Sequence, residues 1–206
     1  MIDAAQVFIC KIGWMEKYQG AEDAIDAKEQ FLQDPAWGYE IFNFSPYKGN
    51  MYGYVQPPAK NSLWFKPQIK IEELGASAFA EEIKNIFVVW VAKEPKSGEY
   101  KVVGYYNNAT VLRKIDRLVF SERTYPNKIL HTFRIKAKKD DCRLLTVEER
   151  NTSPQILNAD KKTSIFKKNQ YLFPTEDNKA IRESVCEFLS PFLIPVEEVE
   201  PAEQSL

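Results

Sequence analysis

The sequence of 206 residues is poor in the side chains used for nucleophilic, metal and disulfide chemistry. It contains a single histidine, His131, so Ser-His, Cys-His or His-ligated metal chemistry would depend on one imidazole. Its three cysteines are far apart and form no C-x-x-C pair (Cys10, Cys142 and Cys186). We therefore expect neither a disulfide framework nor a zinc site, but free thiols in a reducing cytoplasm.

Long apolar runs and familiar catalytic motifs are also absent. No run approaches the roughly 18 apolar residues of a membrane span, and the first six residues lack the character of a signal peptide. Phosphate-binding glycine loops and nucleophile elbows do not occur, and no carboxylate cluster has the spacing of a magnesium-dependent nuclease centre. These absences predict a cytoplasmic chain with no membrane contact, no metal, no cofactor and no catalytic residues of its own.

What the sequence does have is an ordinary globular composition with many aromatic residues. The chain is 44% hydrophobic and 28% charged, with 13 Phe, 10 Tyr and 4 Trp. Such a composition predicts one well-buried core. Most of the aromatic residues must belong to that core, whatever else a few of them do.

The most informative stretch is a pair of apolar runs around a polar turn. Residues 86–92 and 100–113 flank the turn Glu94–Glu99, which predicts a β-hairpin buried on both faces. Gly104 lies in mid-strand, where glycine marks a bulge or the close approach of a ligand or another backbone. Aromatic rings beside amides are typical of sites for flat, hydrogen-bonding ligands such as nucleobases. The hairpin residues of this kind are Trp90, Tyr105, Tyr106 and Asn107, the two tyrosines on opposite faces.

The remaining pattern predicts an α+β fold in which strands dominate. Other candidate elements are recognised from periodicity, turn residues and capping residues. They are strands at Gln6–Ile12, Ile41–Phe44, Met51–Val55 and Ile129–Ala137, helices at Glu22–Leu32 and Ser77–Lys84, and a C-terminal helix that begins at Thr175. We expect a main domain over residues 1–172, a helix packed on it over 173–195, and an acidic tail or linker over 196–206.

The charges are unevenly distributed although the net charge is only −1. Between Val111 and Arg143 there are ten basic and four acidic residues, a local excess of six positive charges. Such a cluster can form a basic face that the total charge conceals, and it favours a nucleic-acid partner. Candidates for contact with a phosphate backbone are Lys11, Arg113, Lys114, Arg117 and Arg123.

Five segments together resemble a known module. In chain order they are Phe8–Met15, Gly38–Phe44, Tyr52–Pro57, Val88–Ala92 and Val103–Val111. Their order is similar to a module at the N-terminus of some prokaryotic restriction-type nucleases, where a catalytic domain follows. It also resembles, more loosely, the PUA-like superfamily that includes the EVE and YTH domains. The resemblance covers roughly residues 6 to 150.

The resemblance implies a PUA-like open β-barrel with flanking helices that reads a modified base, most simply in DNA, through an aromatic pocket. Trp14, just past the first strand, then becomes a pocket wall, and Asn43 joins Asn107 as a reader of the base edge. The module would be the specificity part of a modification-dependent restriction or defence system, with a nuclease domain or subunit as partner. Two alternatives stay open: a small nucleic-acid-processing enzyme that uses His131 or a carboxylate pair, and a module that binds RNA or protein.

Overall fold

A computed structural model describes residues 2–20, 23, 38–57, 67–119, 130–156, 165–166 and 170–193. These residues form an α+β protein built on one mixed sheet. Three predictions fall outside them: the helix over Glu22–Leu32 (apart from Asp23), the basic residue Arg123, and the acidic tail of residues 196–206.

The sheet has seven strands. They are β1 Val7–Ile12, β2 Asn50–Gly53, β3 Glu82–Lys93, β4 Tyr100–Val119, β5 Leu130–Lys138, β6 Cys142–Leu144 and β7 Tyr171–Leu172. The strand order is β2-β5-β4-β3-β1-β7, and β6 pairs with β4 off this path. Strands β1 and β3 are parallel, whereas the other pairs are antiparallel. Within the described residues the sheet is not closed into a barrel, since its path ends at β2 and β7.

Two α-helices lie in the described part of the chain, α1 Val147–Asn151 and α2 Lys179–Leu189. A capping box starts α1, in which Thr146 accepts from the backbone N–H of Glu149 and the Glu149 carboxylate accepts from that of Thr146. The predicted start at Thr175 is confirmed for the C-terminal helical segment, because Thr175 caps a 3-10 turn that leads into α2. Neither helix is long and apolar enough to cross a bilayer.

Short 3-10 helices connect several of these elements. They span Ala4–Gln6, Gly38–Phe42, Ile71–Leu74, Lys139–Asp141, Glu176–Asn178 and Ser190–Phe192.

The predicted central hairpin is confirmed, and both of its faces are buried. On one face lies what we call the helix-side cluster: Val7, Ile9, Phe87, Val89, Val91, Val102, Tyr105, Leu145, Ile156, Phe166, Val185 and Leu189. On the other lies the loop-side cluster, which includes Phe8, Cys10, Ile12, Met15, Tyr18, Phe42, Phe44, Val88, Trp90, Tyr106 and Ile135. Successive residues of β1 and β3 alternate between the clusters, as the strand period of two requires.

Gly104 is explained by close packing, as its mid-strand position predicted. The register between β3 and β4 shifts beside it, between Trp90 and Val91, so β4 carries a bulge there. A side chain at Gly104 would place its Cβ 2.5 Å from the backbone oxygen of Arg143 and 2.5 Å from Cζ of Phe44. The approaching groups are therefore β6 and an aromatic ring of the protein itself.

Two predicted elements are wrong. The segment Ile41–Phe44 is not a strand but the end of the 3-10 helix Gly38–Phe42 and the turn after it. Its apolar residues are buried because the segment covers one face of the sheet, so a short apolar run did not reveal the backbone conformation.

The predicted helix over Ser77–Lys84 is instead a turn followed by the start of β3. Pairing with β4 overrides the helical preference of its Ala, Glu and Lys residues, since Glu82 pairs with Leu112 and Ile83 with Val111.

Candidate functional site

Trp90, predicted as a pocket wall, lies at the centre of the loop-side cluster. Its side chain is 0% exposed and makes an edge contact with Tyr106, the ring centroids 5.2 Å apart. A Cβ on Gly53 would lie 2.5 Å from Cζ2 of the indole, so the ring is also packed against β2. The Trp90 ring thus offers no exposed face for a base.

Asn43 and Tyr106 form a buried hydrogen-bonded group beneath Trp90. The Asn43 amide donates to the backbone oxygen of Tyr54 at 3.1 Å and accepts from its N–H at 2.8 Å, as a paired strand would. The Tyr106 hydroxyl donates to the backbone oxygen of Asn43. Both polar atoms of the Asn43 amide are therefore engaged in positioning the chain after β2.

The other two predicted hairpin residues, Tyr105 and Asn107, make contacts away from Trp90. Tyr105 is on the opposite face, as predicted, where it stacks on Phe87 at 5.4 Å and donates to the backbone oxygen of Phe192 at 3.0 Å. Asn107 is half-buried, and its side-chain oxygen accepts from the N–H of Asn108 at 2.9 Å. The six predicted pocket residues are therefore not gathered around one cavity.

Trp14 has a different environment, because its ring is half-buried just beyond the end of β1. The guanidinium carbon of Arg150 lies 5.3 Å from the centroid of the Trp14 ring and 5.8 Å from that of Tyr18. Arg150 itself is 1% exposed. A buried cation thus lies over the ring of Trp14, and the partly buried residue also packs against the loop-side cluster.

The loop that carries Trp14 is fixed by side chains from distant parts of the sequence. Arg150 donates to the backbone oxygens of Met15 at 2.6 Å and Glu16 at 2.7 Å, and to that of Leu145 at 2.9 Å. The Tyr18 hydroxyl donates to the backbone oxygen of Gly13 at 2.7 Å.

A buried carboxylate fixes the far end of the same loop. Asp23, 8% exposed, accepts from the backbone N–H groups of Lys17, at 2.6 Å, and Tyr18. With its backbone polar groups bound on both sides of the indole, the loop presents Trp14 in a defined position.

Glu40 completes this site from the 3-10 helix Gly38–Phe42. Its Oε2 accepts from the backbone N–H of Gly13 at 2.9 Å, one residue before Trp14. The residue is only 6% exposed, and burial raises the pKa of the Glu40 carboxyl to about 7, although the Gly13 N–H and the charge of Lys11 act to lower it. A carboxyl group with a raised pKa therefore holds the backbone of the residue before Trp14.

The predicted phosphate-binding residues lie mostly at the other end of the β3–β4 hairpin. Arg113 bonds to Glu72 at 2.7 Å and to the backbone oxygen of Ala80 at 2.7 Å, which ties it to the adjoining turns. Lys114 is exposed and paired with Glu81 at 3.1 Å, and Arg117 is exposed.

Lys11 is the one predicted basic residue near Trp14. It lies on β1, half-buried, with its ammonium 5.6 Å from the centroid of the Phe166 ring. Lys11 acts on the charge of Glu40, but its ammonium lies over Phe166 of the helix-side cluster, whereas Trp14 packs against the loop-side cluster.

Arg134 on β5 is a further buried polar residue that the sequence did not single out. It is 2% exposed and donates to the backbone oxygen of Pro67 at 3.0 Å, while its Nε and Nη1 have no hydrogen-bond partner among the described residues. Burial lowers the pKa of Arg134, and the phenols of Tyr54 and Tyr171 act to raise it. Since Tyr171 is on β7, the two ends of the sheet approach each other around this guanidinium.

An open groove of about 490 Å³ lies on the outer side of β2, β4 and β5. Its floor contains Tyr52 and Phe133, whose rings are 4.9 Å apart, and the Lys136 ammonium lies 5.8 Å from the Tyr52 ring. Its lining contains both lysines and acids, namely Lys84, Lys136 and Lys138 with Glu82 and Asp116. This mixed charge gives the groove no strong preference for one sign of ligand.

Glu40 and Arg150 are the functional candidates that sequence reasoning missed. Neither stands in a recognisable motif: Glu40 is one acid within the segment Gly38–Phe44, and Arg150 follows a helix cap. Only the fold brings them to Trp14. Across the described residues, no group of three or more His, Cys, Asp and Glu side chains is placed to hold a metal ion.

We compared the chain with protein-family models, with curated proteins and with solved structures. No protein-family model, no curated protein and no solved structure matches the chain.

Proposed function

We propose that this chain is a nucleic-acid-binding module that holds one base, displaced from its stack, against Trp14. The observation that carries the proposal is a partly buried tryptophan, Trp14, on a loop fixed by Arg150, Tyr18 and Asp23. Stacking on an aromatic side chain contributes roughly 1–3 kcal/mol per base. A platform that is already ordered loses little conformational entropy when a base binds.

The ligand class that fits best is a modified base in DNA, which makes the module the specificity part of a cytoplasmic modification-dependent defence system. In that arrangement cleavage belongs to a nuclease domain or partner subunit, and this chain supplies recognition alone. Lys11 on β1, and Lys114 and Arg117 on exposed surface, are the side chains assigned to phosphate contact. A displaced base also explains why a small site beside one ring is sufficient.

We also propose that the sheet is an open barrel of the PUA-like kind. Supporting this, the loop-side cluster contains residues from both ends of the sheet: Met51, Ile135 and Ala137 from β2 and β5, and Phe8, Cys10 and Tyr171 from β1 and β7. A flat sheet of this length would hold these groups far apart, since neighbouring strands are about 4.8 Å apart. A curved sheet would bring its two ends to one core, and the approach of Tyr171 on β7 to Arg134 on β5 supports this.

The test is binding of fluorescent DNA duplexes that carry 5-methylcytosine, 5-hydroxymethylcytosine, N6-methyladenine or no modification, measured at several salt concentrations. We expect at least one modified duplex to bind more tightly than the unmodified one, with affinity falling as salt rises. Trp14→Ala should lose roughly 1–3 kcal/mol of binding free energy, about 5- to 150-fold in Kd.

The matched control is Phe79→Ala, since Phe79 is an aromatic residue that is 96% exposed and outside the site. It should bind like the parent chain, and thermal unfolding should show that both variants are folded. Binding that is insensitive to salt, or equal in the parent chain and folded Trp14→Ala, would refute the proposed function.

A further inference from the structure

Among the described residues, Phe79 is the one large apolar side chain that lies in solvent. It is 96% exposed, on the turn that leads into β3. A lone apolar residue on a surface is common, and by itself it indicates nothing about function. What distinguishes Phe79 is that the backbone beneath it is fixed.

Arg113 fixes the Phe79 turn from the neighbouring strand β4. The N–H of Ala80 donates to the backbone oxygen of Ser77 at 3.1 Å, which closes the turn. Arg113 donates through Nε to the backbone oxygen of Ala80 at 2.7 Å, and through Nη2 to that of Ser77 at 3.3 Å. Its Nη1 is paired with Glu72 at 2.7 Å. An aromatic side chain on a fixed turn loses little backbone entropy when it enters a partner, as the anchor of a protein contact does.

The open groove beside β2, β4 and β5 begins close to Phe79. Glu82, in its lining, is three residues after Phe79, so their Cα atoms are at most about 11 Å apart. The volume of about 490 Å³ is within the range of ligand pockets, so a phenyl side chain fits. The apolar part of the lining includes Tyr52, Leu112, Leu118 and Phe133. The chain thus carries a projecting ring and an apolar recess close together.

The charges around the ring and the recess are complementary. The segment Ile71–Glu82, which carries the exposed ring, has four acids and no base, whereas Lys136–Lys139 has three lysines and no acid. Three of the four acids are paired with bases of β3 and β4. The fourth, Glu73, is exposed, and so are Lys136 and Lys138 in the groove, and none of the three forms an ion pair with another described residue. These charges are left to meet a partner.

We propose that this chain forms a two-fold dimer in which Phe79 of each copy enters the groove of the other. In a two-fold interface every contact occurs twice, so ring and groove must share one face, which the short distance from Phe79 to Glu82 allows. Glu73 of one copy then faces Lys136 and Lys138 of the other. The mixed charge of the groove favours this occupant, because a second copy brings both signs of charge. The contact is small, so the dimer dissociates on dilution.

The dimer contact is separate from the Trp14 site. Trp14 follows β1, which runs parallel to β3 and ends opposite Ala92. Phe79 precedes the other end of β3, and the ten residues from Glu82 to Ala92 span roughly 30 Å of extended strand. The inference therefore does not rest on the proposed function, and a substitution at Phe79 leaves the Trp14 loop untouched.

Sedimentation velocity of the full chain, from micromolar to millimolar concentration, measures the association. The parent chain should pass from monomer to dimer over this range. Phe79→Asp should raise the dimer dissociation constant by at least about tenfold, because it removes two buried rings and brings charge into an apolar recess. Phe79→Leu keeps an apolar side chain and should retain most of the association. Thermal unfolding checks that each variant is folded.

A second variant tests the groove itself. Lys136→Glu combined with Lys138→Glu should also weaken the dimer, because the added acids repel Glu73 of the other copy. The matched control is Lys93→Glu combined with Lys96→Glu, two exposed lysines at the far end of β3, and it should associate like the parent chain.

Mixing the two monomeric variants gives the sharpest result. The groove variant keeps Phe79, and Phe79→Asp keeps an intact groove, so a mixed dimer retains one of the two contacts. A mixture of the two, one of them carrying a fluorescent label, should therefore associate more strongly than either variant alone.

The contrary outcomes are specific. A parent chain that stays monomeric at every concentration, or a dimer that Phe79→Asp does not weaken, overturns the proposal. So does a mixture that associates no better than its components. A monomeric parent whose affinity for DNA falls in the groove variant would show that the groove binds nucleic acid, and the proposal would again be wrong.

Discussion

Trp90 and Trp14 differ in how deeply their side chains are buried. Trp90 is 0% exposed and is packed between Gly53 and Tyr106 in the loop-side cluster. Trp14 is half-buried on a loop, with a cation behind its ring. The comparison teaches that an aromatic residue in the middle of a strand buried on both faces belongs to the core, whereas one just past a strand end can stay partly exposed.

The sharpest way to break this comparison is to remove each ring in turn. Trp90→Ala should lower the free energy of unfolding by about 3–5 kcal/mol, because it leaves a large cavity in a closed core. Trp14→Ala should cost about 1–2 kcal/mol, because the residue is only partly buried. Urea denaturation of both variants measures the difference, and equal losses would show that the two rings play the same structural part.

Replacing Arg150 tests whether its hydrogen bonds fix the loop that carries Trp14. Arg150→Met should cost about 3 kcal/mol, because it leaves the carbonyl oxygens of Met15, Glu16 and Leu145 without their donor. Hydrogen exchange should also become faster in residues 13–18.

The control for this variant is Arg143→Met. Arg143 forms a half-exposed ion pair with Glu149 at 2.7 Å, and such pairs contribute at most about 1 kcal/mol. A similar loss of stability for both substitutions, with unchanged exchange in the loop, would contradict the positioning role of Arg150.

The raised pKa of Glu40 should make the stability of the protein depend on pH. Its pKa in the folded protein, about 7, is above the ordinary value of 4.5, so the folded state binds the proton more tightly than the unfolded state. The corresponding stability is fully present below about pH 4.5 and is lost as the pH rises through 7. Glu40→Gln should therefore be more stable than the parent chain by up to about 3 kcal/mol at pH 8, and little different at pH 4.5.

Urea denaturation at the two pH values isolates this contribution, because other titrating groups are common to both proteins. A stability difference between the variant and the parent chain that does not change with pH would contradict a raised pKa at Glu40.

A side chain at Gly53 tests how tightly Trp90 is packed in the core. Gly53→Ala should cost about 1–3 kcal/mol, because the new Cβ would lie 2.5 Å from the indole. Trp90→Phe in the same chain should relieve part of this loss by removing the ring atoms that collide. A double-mutant cycle measures the coupling, and additive effects would show that the two side chains do not touch.

The sequence predicted the central architecture because the strongest local signals are there. Two apolar runs around a turn predicted β3 and β4, the alternation of apolar and polar residues predicted β5, and Thr175 indicated the start of the C-terminal helical segment. It failed at Ile41–Phe44 and Ser77–Lys84, where an apolar run or a helix-forming composition was outweighed by contacts with distant strands. Composition alone could not show this, because those contacts join residues remote in sequence.

By itself, then, the sequence determined that this protein is an α+β chain with a hairpin at its centre, an aromatic-rich core and three thiols without disulfide spacing. Only the tertiary structure decided that Trp90 is enclosed in the core whereas Trp14 is partly buried. Both sides of the hairpin are buried, so strand alternation assigns a side chain to a face but does not distinguish core from cavity. The association of Trp14 with Glu40 and Arg150 was decided in the same way, because 26 and 136 positions separate them in the chain and only folding brings their side chains together.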